Sequence, residues 1–249
     1  MERKISEIHG ETPGQPYLSV VIPAYNEEQY LPACLRALRQ QKDAPPYEII
    51  VVDNASTDGT ADIARQCGAC VVTELRKGVA HARQSGFGAA CGEIIASTDA
   101  DTCVTPHWLA YIAAHFREDP GLGAVYGPVH WYDGRPVERW ALKHPFVWAQ
   151  WLSHRAHRDL WWGSNFAVRR EVFRKAGGFP VDWPSWEDID LSLRVSRIAR
   201  VSFDPDLVVY ASSRRTQEGW FKVGRVALTN AVECFVLRRP PSLPMVDVR

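Results

Sequence analysis

No stretch of these 249 residues is both apolar and long enough to cross a bilayer as a helix, which needs about 20 such residues. The opening MERKISEIHG lacks the apolar centre of a secretory leader, so a cytoplasmic chain is expected, with at most peripheral contact at the inner face of a membrane. An excess of one charge is missing too. The 29 Lys and Arg balance 29 Asp and Glu, which gives no signal for nucleic acid. The six cysteines, Cys34, Cys67, Cys70, Cys91, Cys103 and Cys234, follow no framework spacing, and Cys67-Gly68-Ala69-Cys70 has no second pair. Free thiols are expected, with Cys67 and Cys70 buried and structural rather than zinc-binding or redox-active. There is no solenoid repeat and no low-complexity linker. What is present is a 46% apolar composition, enough for the core of one large α/β domain, and ten tryptophans.

Short β-branched runs alternate with helical spacing along the first hundred residues. Leu18–Ile22, Glu48–Val52, Ala69–Val72 and a run from Ile94 to Asp99 read as strands. Between them, helices are expected over about residues 28–41, 60–66 and 79–91. Four such alternations with short connections predict a mostly parallel central sheet flanked by helices. Ligands bind such sheets at the carboxyl ends of the strands. The polar clusters Tyr25–Glu27, Asp53–Asp58 and Asp99–Asp101 fall at those ends. Residues 1–16 read as a loose lead-in, 17–237 as one domain, and 238–249, with Pro240 and Pro241, as a loose tail.

Within Ser97-Thr98-Asp99-Ala100-Asp101-Thr102, an extended backbone would point Asp99 and Asp101 to the same side. Two close carboxylates repel, and a hard divalent cation such as Mg²⁺ or Mn²⁺ relieves them, with substrate phosphates completing its shell. Asp53, closing a strand, is placed to accept hydrogen bonds from a ribose or base, whereas Asp58 is read as a helix cap. Arg76, Lys77 and Arg83 bring positive charge to the same edge, as a diphosphate requires. Further on, Ser185 with Asp188 resembles a capping box, while Glu187 or Asp188 offers a carboxylate general base.

The second half is less regular. Helices are expected over 106–118, 187–198 and 217–237, a strand over 122–131, an apolar run over 161–168, and one or two short strands around Pro205 within 201–210. Trp140, Trp148, Trp151, Trp161 and Trp162 crowd one segment with Arg, Lys and His. Helical spacing argues that they pack into the core; the alternative is a surface that meets a lipid-linked acceptor or a membrane.

Six stretches, VVIPAYNEE, VVDNASTDGT, KGVAHARQSG, STDADT, GSNFAVRREVFRKAGGF and WEDIDLSLRV, occur in the order found in family 2 glycosyltransferases, and over residues 17–215 the chain resembles that family. The resemblance implies a single GT-A, Rossmann-like α/β domain with a nucleotide-binding half (17–102) and an acceptor-binding half (103–237). It implies inverting, Mg²⁺- or Mn²⁺-assisted transfer of a sugar from a UDP- or GDP-sugar to an acceptor glycan, lipid-linked or small, as in cell-envelope or polysaccharide synthesis. Carried over by position, Pro23, Tyr25 and Glu27 line the nucleotide pocket, Asp53 contacts base or ribose, and Arg83 the nucleotide. Asp99 faces ribose or metal, and Asp101 coordinates the metal. Gly163, Ser164, Asn165 and Trp186 shape the sugar and acceptor pocket, and Asp188, beside Glu187, is the base. Two departures stand out. No histidine follows the last core strand, where Arg214 and Arg215 offer positive charge instead; and Arg139-Trp140 lacks the Gln of processive relatives, which argues for single-sugar transfer. A sugar-phosphate nucleotidyltransferase would carry a Gly-rich basic loop after the first strand, where Ala24–Glu28 is acidic. A non-catalytic nucleotide-sugar binder would not need Asp99, Asp101 and Asp188 intact.

Overall fold

The structure, a computed structural model, describes residues 15–133, 147–214 and 220–244. Four strands, Leu18–Ala24 (β1), Tyr47–Asp53 (β2), Cys70–Thr73 (β3) and Ile94–Ser97 (β4), alternate with helices Leu31–Arg39 (α1), Thr60–Gln66 (α2) and Val79–Ala89 (α3). Then come Thr102–Val104 (β5), Trp108–Glu118 (α4), Leu122–Tyr126 (β6), Val129–Trp131 (β7), a helix over 147–155 (α5), Phe166–Arg169 (β8) and Arg170–Lys175 (α6). Glu187–Ile198 (α7), Arg200–Phe203 (β9), Val209–Ala211 (β10) and Trp220–Ala231 (α8) complete the chain, the last running into a π turn, Val232–Val236.

Seven strands form the main sheet in the order β3-β2-β1-β4-β8-β6-β9, with only β8 antiparallel to its neighbours. Strand β1 sits inside it and is buried on both faces. Val20 and Ile22 join α1 and α4 (Leu35, Leu38, Trp108, Ile112), while Val21 joins α3, α6 and α7 (Ala82, Phe87, Phe173, Leu191). Period-two alternation along one strand thus serves two helical layers. Pro23 is tolerated in this strand because β4 stops pairing with β1 at Val21. The small residues of α3 have a packing reason: a Cβ on Gly86 would overlap Val21 and lie 2.7 Å from Val52 Cγ2. The helix therefore lies directly on the sheet.

Several expected boundaries move. Helix α1 starts at Leu31, not near residue 28, because the amides of Tyr30 and Leu31 turn back onto the Glu27 carbonyl and Pro32 sets the first turn. The fourth strand ends at Ser97, so Asp99 and Asp101 lie in a turn closed by the Thr102 amide on the Asp99 carbonyl (3.0 Å), not on an extended strand. The run 122–131 splits at Gly127-Pro128 into β6 and β7, and β7 leaves for a second sheet, β5-β10-β7. Neither Cys67 nor Cys70 is buried, and Cys70 is exposed. Of the tryptophans, Trp161 is fully buried, but Trp148, Trp151 and Trp162 are 64%, 42% and 39% exposed, against the core expectation; Trp140 lies outside the described residues. Residues 238–244 are pinned rather than loose, the Leu243 carbonyl accepting from Ser185 Oγ (2.8 Å) and Asn230 Nδ2 (2.9 Å).

His115 on α4 meets Asp204 after β9 at 2.7 Å. The Asp204 carboxylate raises the His115 pKa above its ordinary 6.5, and the imidazole in turn lowers that of Asp204. The His115 share of this stability is complete below pH 6.5 and is lost as pH rises through its raised folded value. His115→Ala should therefore cost more in thermal melts at about pH 6 than at about pH 9. Equal losses at both would remove the ion pair from the account.

Candidate active site

The carboxyl ends of β1, β2 and β4 form one edge, as Ala24 pairs with Asp53 and Val21 with Ser97. The loops here hold each other. Asn26 Oδ1 accepts from the Thr57 amide (2.9 Å). Asn54 ties down the 74–78 loop, donating to the carbonyls of Glu74 (2.9 Å) and Arg76 (2.8 Å) and accepting from the Gly78 amide (2.8 Å). Asp58 is not the N-cap of α2, which is Gly59, but from one residue before it holds the Thr60 amide (3.0 Å) and hydroxyl at the helix start. Asp53 accepts the Ser56 amide (3.2 Å) on one oxygen. Asn54 was not singled out from sequence, although an Asn after a strand is a strong turn-forming signal.

The buried centre is Arg83. Its guanidinium pairs with Asp99 (2.7 Å) and with Glu187, and its side chain is only 5% exposed. A Cβ on Gly163 would overlap that guanidinium, so only glycine admits Arg83 here. The same glycine donates its amide to Asp188 Oδ2 (2.6 Å) and accepts the Ser97 hydroxyl (2.6 Å). The sequence expectation put Arg83 on the nucleotide; the structure commits it to carboxylates. The other two expected cations are also engaged, Arg76 by Glu74 and Lys77 by the Tyr25 hydroxyl (2.9 Å) and ring.

Glu187 and Asp188 open α7, but no capping box forms. Ser185 turns to Leu243, and Asp188 Oδ1 accepts the Ile189 amide (2.8 Å). Glu187 is buried, whereas Asp188 is partly exposed. Asp190 faces away and pairs with Arg194 (2.6 Å). Burial lifts the Glu187 carboxyl to about 7 against the pull of Arg83. Asp188 is also raised by burial, opposed by Arg83 and the Gly163 and Ile189 amides.

A second cation closes the edge. The small sheet carries the chain past β10, where the Ser212 amide meets the Asp101 carbonyl (3.2 Å). Arg214 then pairs with Asp101 (2.9 Å) and Glu27 (2.5 Å) and lies over the Tyr30 ring (4.5 Å). Arg215 lies outside the described residues. Ser164 is buried nearby, but Asn165 does not face a pocket. Its side chain accepts from Trp108 Nε1 (2.9 Å) and donates to the carbonyls of Pro128 (3.0 Å) and Leu207 (2.7 Å), fixing the core. Among the described residues no group of three or more His, Cys, Asp or Glu could hold a metal by itself. Asp99 and Asp101 could hold one only with added ligands, which fits an ion that also binds phosphate oxygens. The Arg214 guanidinium bridges Asp101 and Glu27. Non-glycine residues with positive φ gather here as well, Asn26 (53°), Ala55 (59°) and Trp186 (64°).

Residues 19–177 match the family model described as Glycosyl transferase family 2. The chain is 30% identical over 243 residues to the probable glycosyltransferase YdaM of Bacillus subtilis (strain 168), covering 89% of this chain and 56% of that relative. Among solved structures, the mannosyltransferase PcManGT of Pyrobaculum calidifontis, in complex with GDP-Man and Mn²⁺, superposes with a TM-score of 0.69 at 26% identity, covering 90% of this chain and 65% of that one. Residues 1–349 of S. aureus TarS in complex with UDP-GlcNAc give 0.65 at 27% identity, over 79% of this chain and 58% of that one. The chain therefore belongs to glycosyl transferase family 2, and it spans little more than half the length of its B. subtilis relative. No helix among the described residues is long and apolar enough to cross a membrane.

Proposed function

We propose that this family 2 chain transfers one sugar from a UDP- or GDP-sugar to an acceptor hydroxyl, with inversion and with Asp188 as general base. The observation that carries the base assignment is the unequal treatment of two neighbours. Glu187 is buried in an ion pair with Arg83, whereas Asp188 is partly exposed and aligned by two backbone amides. Each carboxylate oxygen of Asp188 keeps a lone pair for an incoming hydroxyl. Its raised pKa suits proton acceptance near neutral pH.

Pro23, Tyr25, Glu27 and Asp53 form the nucleotide side of the edge, and Gly163, Ser164 and Trp186 the acceptor side. Arg83 positions Asp99 and Glu187 and does not itself touch the donor. Asp99 and Asp101 would hold Mg²⁺ or Mn²⁺ together with the diphosphate, and the ion would act as a Lewis acid on the leaving group. The neighbour bound to GDP-Man and Mn²⁺ supports this donor and metal class. A thermal-shift screen of nucleoside diphosphates with and without Mn²⁺ tests the reading. A ligand at about 100 times its Kd stabilises by about 2.7 kcal/mol. No shift with any nucleoside diphosphate would overturn it.

Arg214 and the metal would compete for Asp101. Arg214→Gln should tighten Mn²⁺ binding to the ligand-free protein by roughly tenfold, equivalent to about 1.4 kcal/mol, and weaken nucleoside diphosphate binding. Calorimetry giving an unchanged Mn²⁺ affinity would mean that Arg214 and the ion do not share Asp101.

A further inference from the structure

A second cleft lies on the far side of α7, away from Glu187 and Asp188. It encloses about 600 Å³ and is lined by His157, Arg158, Arg194, Arg197, Arg238 and Arg239. Asp190, the only acid in its wall among the described residues, is held by Arg194, and Arg239 is held by Glu233 (2.7 Å). The side chains of Arg158, Arg197 and Arg238 have no hydrogen-bond or ion-pair partner among the described residues. Like charges gathered in one concavity repel unless an anion joins them. Two of the wall residues, His157 (φ 52°) and Arg238 (φ 53°), also hold the left-handed backbone that non-glycine residues rarely adopt.

The cleft has an apolar border. Along α8 and its π turn, Leu228, Val232, Phe235 and Val236 recur at helical spacing and are exposed, Leu228 and Val236 by 68% and 71%. Phe235 belongs to both the ridge and the cleft wall. The chain leaves this helix directly into Arg238 and Arg239. Helix α5 repeats the arrangement, with Trp148, Trp151 and Leu152 exposed and His157 and Arg158 just beyond its end. Two helices with apolar outer faces thus end in the same cationic cleft.

We infer that this cleft binds the phosphate of an anionic lipid headgroup, with the exposed faces of α8 and α5 entering the acyl boundary beside it. Unpaired arginines next to an exposed apolar ridge fit a surface that is negative at the headgroups and apolar beneath them. A soluble anion would use the arginines and leave the ridge without a role. The inference does not depend on the chemistry proposed for the sheet edge.

Co-sedimentation of the full chain with vesicles tests it, comparing phosphatidylcholine alone with vesicles also containing phosphatidylglycerol. Binding is expected only to the anionic vesicles. Arg158→Gln, Arg197→Gln and Arg238→Gln should each weaken it about fivefold, and the triple variant roughly a hundredfold. Leu228→Ser with Val236→Ser should weaken it as well. All these side chains are exposed, so melting temperature and nucleoside diphosphate affinity should stay at parental values. Parental vesicle binding by the triple variant would overturn the inference. So would a thermal shift with inorganic pyrophosphate that the triple variant loses, without vesicle binding, which would make the cleft a free-phosphate site. A concentration-dependent dimer that ignores vesicles would overturn it too, and would make this face a contact between copies.

Discussion

Asp188→Asn should lower sugar transfer by about 10²-fold or more, the usual cost of removing a positioned base, while nucleoside diphosphate affinity is kept. The substitution leaves an amide where two backbone amides, from Gly163 and Ile189, now donate, so a stability loss of about 1–3 kcal/mol is also expected. Asp190→Asn should lose far less activity, because Asp190 faces Arg194. The pH profile separates base from scaffold. Transfer should fall as pH drops through the raised range in which the Glu187–Asp188 pair takes up a proton, near 7 for Glu187. Glu187→Gln removes the neighbouring negative charge and leaves Arg83 more fully to Asp188, so it should move the acid limb to lower pH. Parental transfer by Asp188→Asn on the true acceptor would return the role to Glu187.

Arg83→Met should be the most destabilising single change in the site. It strips the counter-charge from Asp99 and Glu187, and breaking a buried pair in this way costs about 3–5 kcal/mol. For a domain of this size that is a fall in Tm of roughly 10 °C. The sign of its pH dependence identifies the cause. Uncompensated carboxylates bind protons more tightly folded than unfolded, so the variant's stability should decline as pH rises above the ordinary carboxylate range. Melts of parent and variant at about pH 5 and about pH 8 should differ most at the higher pH. A loss independent of pH would mean that Arg83 acts by packing alone.

Much of the fold was legible because the first hundred residues are locally consistent. Leu18–Ile22 and Glu48–Val52 are β-branched runs with no competing helical period, and the parallel order followed from their alternation with helices. Element α7 was read to the residue from its amphipathic spacing. What failed was information carried by tertiary contacts. Nothing local says that Ser97 ends its strand, since Ile94–Ala96 could continue through Thr98. Nothing local distinguishes Trp161, stacked on Phe166 at 5.0 Å, from Trp148, which is exposed on a surface helix. The site residues were legible as types but not as partners. Arg83 was recognised as unusual inside a helix of small residues, yet its commitment to Asp99 and Glu187 needed residues 16 and 104 positions away. The resemblance placed Asn165 with Gly163 and Ser164 in the pocket lining, and only the fold shows its amide spent on Trp108, Pro128 and Leu207.

The most direct measurement of the central claim is product analysis on a panel of UDP- and GDP-sugars with the unmutated protein, with Mn²⁺ and with EDTA. The account predicts that one donor is consumed with release of its nucleoside diphosphate, that the released or transferred sugar has the opposite anomeric configuration, and that EDTA suppresses the reaction. Pyrophosphate released from a nucleoside triphosphate and a sugar phosphate, or a sugar product with retained configuration, would contradict it.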